Sequence, residues 1–145
     1  MCFTLYVAAS KKLPLREWNK DKPGVHTANL QDYELGVLGR LSLPFALYVG
    51  SNQGCGCGFR HSIVDGQGWL PVIPSEKYEL NAEQENHVGL WQYLTESLEG
   101  GSIEIYACWN SDVNECPDCI GHIRIEDITN SDFYFKEGWL YRMTI

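Results

Sequence analysis

Only one stretch of this chain carries a helical period, and it lies in a sequence that otherwise alternates in short runs. His87, Trp91, Leu94 and Leu98 recur at spacings of four, three and four, which traces one face of a helix. Asn81 reads as its cap with Gln84 as the reciprocal partner, and Gly100-Gly101 as its stop. Glu83, Gln84 and Glu85 then enrich its first turn in acidic and polar side chains, which the helix dipole favours. His87 sits on the apolar stripe, where a hydrogen-bonded core histidine competes with a ligand or a base.

The remainder reads as strand. At the start, Phe3, Leu5 and Val7 fall on one side and Cys2, Thr4 and Tyr6 on the other. FALYVGS is a short apolar run that ends in turn residues. FRHSIV and WLPVI flank DGQG, a hairpin connection, and Ser102 to Asn110 alternates along its length. HIRIEDI and FYFKEGWLYRMTI add strand material, with a turn or bulge at Glu137-Gly138. One helix among several hairpins predicts a single α+β domain over residues 1–145, with the helix packed on one face of a curved, mostly antiparallel sheet.

Charge narrows the function classes. The net charge of -8 disfavours phosphate backbones, so nucleic acid is not an expected partner. No apolar run is long enough to span a membrane. Residues 11–22, KKLPLREWNKDK, carry five basic and two acidic side chains. They read as a surface loop, either a docking patch for an acidic partner or anionic ligand, or simply a solvated counterweight to an acidic body.

The chemistry concentrates in six cysteines. The N-terminus lacks the pattern of a signal peptide, so a cytoplasmic location with reduced thiols is expected, where clustered cysteine points to metal, redox chemistry or burial. GCGCGF supplies Cys55 and Cys57 and leads into His61; Cys116-Pro117-Asp118-Cys119 supplies a C-x-x-C turn followed by His122. If strand FRHSIV starts early, Cys55, Cys57, Phe59, His61 and Ile63 share one side. The two cysteine pairs would then complete a closed four-thiolate zinc site, with His61 and His122 as substitute ligands. Against this stands plain burial, since free cysteine packs as a small hydrophobe. Cys2 and Cys108 fall on strand faces and read as structural.

Two enzymatic readings compete. CPDC is similar to the Cys-Pro-x-Cys site of glutaredoxin-like proteins, which would make Cys116 the attacking thiolate and Cys119 the resolving one. That motif opens a helix after a first strand, whereas here only strand-like sequence follows, and Asp118 disfavours a thiolate. A thiol enzyme built on Cys57 is the related possibility. Met1-Cys2 also resembles the start of N-terminal nucleophile proteins, though the chain is short for their four-layer sandwich. No phosphate-binding loop, zinc-protease or serine-hydrolase signature is present.

Taken together, the opening MCFTLYVAAS, the following LPL, the YVGS before the cysteines and GCGCGF resemble a group of small uncharacterised bacterial proteins. The resemblance spans residues 1–60 and implies a bacterial, cytosolic protein. It assigns no catalytic residues. The expected function is therefore a small binding or accessory protein with a cysteine-rich site.

Overall fold

A computed structural model describes residues 2–66 and 68–145. The chain runs β1 (Phe3–Ala9), β2 (His26–Ala28), β3 (Phe45–Gly50), β4 (His61–Asp65), β5 (Gly68–Pro71), α1 (Lys77–Ser97), β6 (Ser102–Trp109), β7 (Cys119–His122), β8 (Phe135–Lys136) and β9 (Trp139–Thr144). Six strands form one sheet in the order β2-β3-β1-β6-β9-β7, and β5-β4-β8 form a smaller one. Pairing is antiparallel except between β7 and β9 and between β4 and β8. The architecture is the expected α+β class, with a mixed main sheet that is not strongly curled. Gln67, in the DGQG connection between β4 and β5, lies outside the described residues.

β1 explains why the sheet has two covered faces. Phe3, Leu5 and Val7 point into a core shared with Leu90, Tyr93, Leu94 and Leu98 of the α1 region. The opposite side chain, Tyr6, enters a second core with Val37, Tyr106 and Leu140. Val37 belongs to a 3-10 helix over Asp32–Gly39, which closes the face that α1 leaves open. Glu34 fastens that closure. It accepts the Tyr6 hydroxyl at 2.6 Å and the Gln31 backbone N–H at 3.0 Å.

The helix begins earlier than its sequence signals indicate. Its N-cap is Glu76 and Asn81 lies inside the first turns, so the Asn81 cap and its Gln84 partner are not formed. Gln84 instead accepts from Arg60 and donates to the Thr129 carbonyl. The predicted stripe does face the core at His87, Leu94 and Leu98, while Trp91 sits half-buried at its margin. HIRIEDI is strand only as far as His122; a 3-10 turn over Ile125–Thr129 packs under α1 instead. Residues 11–22 form an exposed surface segment without regular structure, held at Leu13, which is buried, and by the Arg16 guanidinium over the Tyr93 ring.

Two stability predictions follow from this packing. Leu94→Ala removes a fully buried side chain between helix and sheet, and urea denaturation should show a loss of about 3 kcal/mol; Trp91→Ala should cost clearly less. Burial also raises the Glu83 carboxyl to about 7, against the opposing pull of Arg60. The native state therefore holds that proton more tightly than the unfolded chain, and stability contributed by the protonated group is lost as pH climbs from 4.5 through 7. Glu83→Gln should be neutral near pH 4 and stabilising by about 2 kcal/mol at pH 8, measured by denaturation at both values.

Candidate metal centre

The glycine-flanked cysteines do converge, but on a different partner from the one their sequence context suggests. Residues 55–58 are not an early start to β4; Gly56–Gly58 form a single 3-10 turn. This turn lies directly against the first residues of β1. A Cβ on Gly56 would stand 2.5 Å from the Phe3 carbonyl oxygen and 3.1 Å from the Thr4 Cα, so only glycine permits the approach. Gly54 turns the loop with φ at +81°, a left-handed conformation that favours glycine.

Hydrogen bonds then hold the loop in place. Fully buried Ser51 donates its backbone N–H and its hydroxyl to the Cys55 carbonyl at 2.7 and 2.5 Å. The same hydroxyl oxygen accepts the Gly58 N–H at 3.1 Å. From α1, Asn86 accepts the Asn52 N–H at 3.2 Å and donates to the Asn52 side chain at 2.8 Å and the Gly58 carbonyl at 3.0 Å. The loop backbone is thus held from within and from the helix, and the thiols take no part in that clamp.

Those thiols meet Cys2. The Sγ atoms of Cys2, Cys55 and Cys57 all lie within 4.8 Å of one another, and each residue is half-buried. Among the described residues this is the one group of three or more metal-ligating side chains so close together. All six cysteines are free thiols. The Phe3 backbone N–H donates to Cys57 Sγ at 3.4 Å, which ties that sulfur to the start of β1. Burial pushes the Cys55 thiol up, and the neighbouring Cys57 thiol adds to the effect, against opposing hydrogen bonds from the Cys57 backbone and the Cys2 side chain. A cavity of about 340 Å³ opens beside Cys2 and Cys55, walled by Thr4, His26, Tyr33, Glu34 and Tyr48 among others.

The four-thiolate site expected from Cys55, Cys57, Cys116 and Cys119 does not form. Cys119 opens β7, at the far edge of the main sheet. It is in register with Trp139, which faces Ala107, which faces Leu5. Three strand spacings place it about 14 Å from β1. Cys116 is exposed and lines a separate small cavity with Tyr106, Asp118 and Gly138. The parallel pairing of β7 with β9 carries the whole CPDC turn away from the glycine-flanked pair.

The histidines also find other roles. His61 stacks on the Phe3 ring at 4.4 Å between centroids and shares its Nδ1 proton with the Phe59 carbonyl at 2.8 Å; burial lowers its pKa. His122 lies on β7, across the sheet from the cysteines. His87 is a structural core residue: its Nε2 accepts the Arg60 N–H at 2.8 Å, so Nδ1 carries the proton toward the Ile128 carbonyl at 2.7 Å. Burial, with the Arg60 charge, holds it neutral with a pKa pushed down to about 3.

Cys2 is the residue that the strand pattern set aside. Its alternation with Thr4 and Tyr6 gave its side of β1 correctly, but not that GCGCG would fold onto the same end of that strand. Ser51 and Asn86 are polar residues without a motif, and nothing in the sequence marks them as clamps. Comparison with protein-family models, with curated proteins and with solved structures finds no match.

Because Gly56 admits the cysteine turn against β1, Gly56→Ala must push Cys55 and Cys57 away from Cys2. It should lower stability by about 2 kcal/mol or more in urea denaturation. A bifunctional thiol reagent that bridges two of the three cysteines in the native protein should fail to bridge them in the variant.

Proposed function

We propose that this chain is a small metal-binding protein that holds zinc between Cys2, Cys55 and Cys57. The observation that carries the reading is the mutual approach of three sulfurs to within 4.8 Å. Three thiolates from one strand end and one turn match the soft ligand set that zinc takes, and a tetrahedral ion bound by three protein ligands keeps one position for water or another molecule. The adjoining cavity, with its hydroxyl, imidazole and carboxylate walls, gives that fourth position a polar neighbourhood. A binding or accessory role at such a centre fits these features, and ligation by thiolate fits a reducing, cytoplasmic setting.

The thiol-enzyme reading has less support. Of the two GCGCG thiols, burial drives Cys55, the neighbour of the named nucleophile Cys57, away from the depressed pKa that a reactive cysteine needs. The CPDC variant of that reading loses its premise as well, since Cys119 opens a strand rather than a helix.

The test is titration of the reduced protein with zinc and with cobalt(II) as its spectroscopic substitute. One equivalent should bind, and the cobalt form should show a thiolate charge-transfer band. Cys2→Ser, Cys55→Ser and Cys57→Ser should each weaken binding by about tenfold or more, while Cys108→Ser and Cys119→Ser leave it unchanged. Because bound thiols must give up their protons, affinity should rise from pH 6 to pH 8. Binding that survives loss of Cys2 or Cys57 would defeat the assignment.

A further inference from the structure

A third cavity, of about 290 Å³, lies between the start of α1 and the loop before β4, and no cysteine lines it. Glu79, Ala82 and Glu83 form its helical wall, with Tyr78 at the rim, and Asn52, Gln53 and Gly58 form its loop wall. Residues 79, 82, 83 and 86 share one face of a helix. Asn86 ends that stripe in its hydrogen bonds to Asn52 and Gly58, which fixes the face that α1 turns toward the loop. Two carboxyl groups one turn apart therefore look into the same small space.

Glu83 is the unusual member of the pair. It is 5% exposed, yet its carboxyl takes part in no hydrogen bond or ion pair among the described residues. A buried carboxyl in that condition is costly. The Arg60 charge is felt from nearby, but Arg60 directs Nε to the Phe133 carbonyl, Nη1 to Gln84 and Nη2 to the Asn130 carbonyl. Among the described residues, the polar side-chain atoms sealed from solvent without a partner are Arg40 Nε, Trp91 Nε1 and Trp139 Nε1. The Glu83 oxygens are not among them, so the unfilled acceptors open on the cavity they line. Folding gives no reason to keep the group ionisable, since glutamine there is expected to be the more stable residue at pH 8. Glu79 is held in place beside it by the Tyr78 hydroxyl, which donates to its Oε1 at 3.2 Å.

We propose that this cavity binds a small alkylguanidinium, with Glu83 and Glu79 as its two acceptors. On a helix, side chains four residues apart have Cβ atoms about 6 Å from each other, so one planar cation can reach both carboxylates. Guanidinium offers several N–H donors in a rigid fork that matches a carboxylate, and its weak hydration suits a partly buried site. Two ionised glutamates beside Arg60 leave one negative charge to be met, which a monocation supplies. A metal ion does not fit, because among the described residues no third ligating side chain joins this pair. The cavity is at the small end of the range that takes ligands, so the alkyl group is short.

Methylguanidinium is the probe, at pH 8 and constant ionic strength, where Glu83, with a pKa of about 7 set by burial, Arg60 and Glu79, is ionised. Followed by the backbone amide resonances of Asn52, Gln53 and Gly58 in the full chain, the titration should saturate at one site. Tetramethylammonium has the charge without N–H donors and urea has the donors without the charge; each should bind at least about tenfold more weakly. Glu83→Gln, a substitution the fold should accept, is expected to weaken methylguanidinium about tenfold or more, and Glu79→Gln to weaken it in the same direction. No saturable binding, tetramethylammonium or urea binding as tightly as methylguanidinium, or unchanged affinity in Glu83→Gln would each overturn the proposal.

Discussion

Strand β1 is the constraint on which the molecule turns. All seven of its residues are buried, and it is paired along both edges, to β3 and to β6. A strand enclosed on both faces and both edges cannot shift register, because a slip of one residue would exchange Phe3, Leu5 and Val7 for Thr4, Tyr6 and Ala8. Both cores depend on that alternation. The start of this strand is therefore among the best-fixed points in the protein, and Cys2 is attached directly to it; the Cys2 carbonyl accepts the Asn110 N–H at 2.9 Å.

The cysteine turn inherits that rigidity through a different kind of contact. Van der Waals closeness at Gly56 sets its position against β1, while Ser51 and Asn86 set its shape. Asn86 comes from α1, one residue before His87, whose imidazole carries the Arg60 backbone two residues past the turn. One helical step thus anchors both ends of the segment that bears Cys55 and Cys57. The backbone groups there are satisfied before any ligand arrives, so the thiols are preorganised rather than drawn together by what they bind.

The α+β class, the helix face and most strands were legible in the sequence because each rests on a local period. Phe3, Leu5 and Val7, or His87, Leu94 and Leu98, declare their common face by spacing alone. The helix start is not legible in the same way, because Asn81 and Gln84 have the chemistry of a cap while α1 begins one turn earlier, at Lys77. For the site, the glycine-flanked thiols were visible as a pair able to converge. Their partner was not, because choosing between Cys2 and the CPDC turn requires the strand order. The parallel placement of β7 beside β9 is a tertiary outcome with no local signature, and it sends Cys119 and His122 to the opposite edge.

The same strand order also separates two kinds of chemistry that the sequence seemed to mix. On the β1 side, three thiols gather against backbone and a carboxylate is turned toward Tyr6 rather than toward them. On the β7 side, the titratable groups are the Glu104 carboxylate, the Arg142 guanidinium and the His122 imidazole in one row, with no cysteine among the residues lining their cavity. Three clustered thiols make a soft environment, whereas the guanidinium of the second group already has the Glu104 carboxylate as its partner. The two groups sit toward opposite ends of β6: Phe3, which follows Cys2, is in register with Trp109, while Glu104 is in register with Ala8. The strand order therefore keeps the three thiols and the charged row apart on one small sheet, each with its own neighbours.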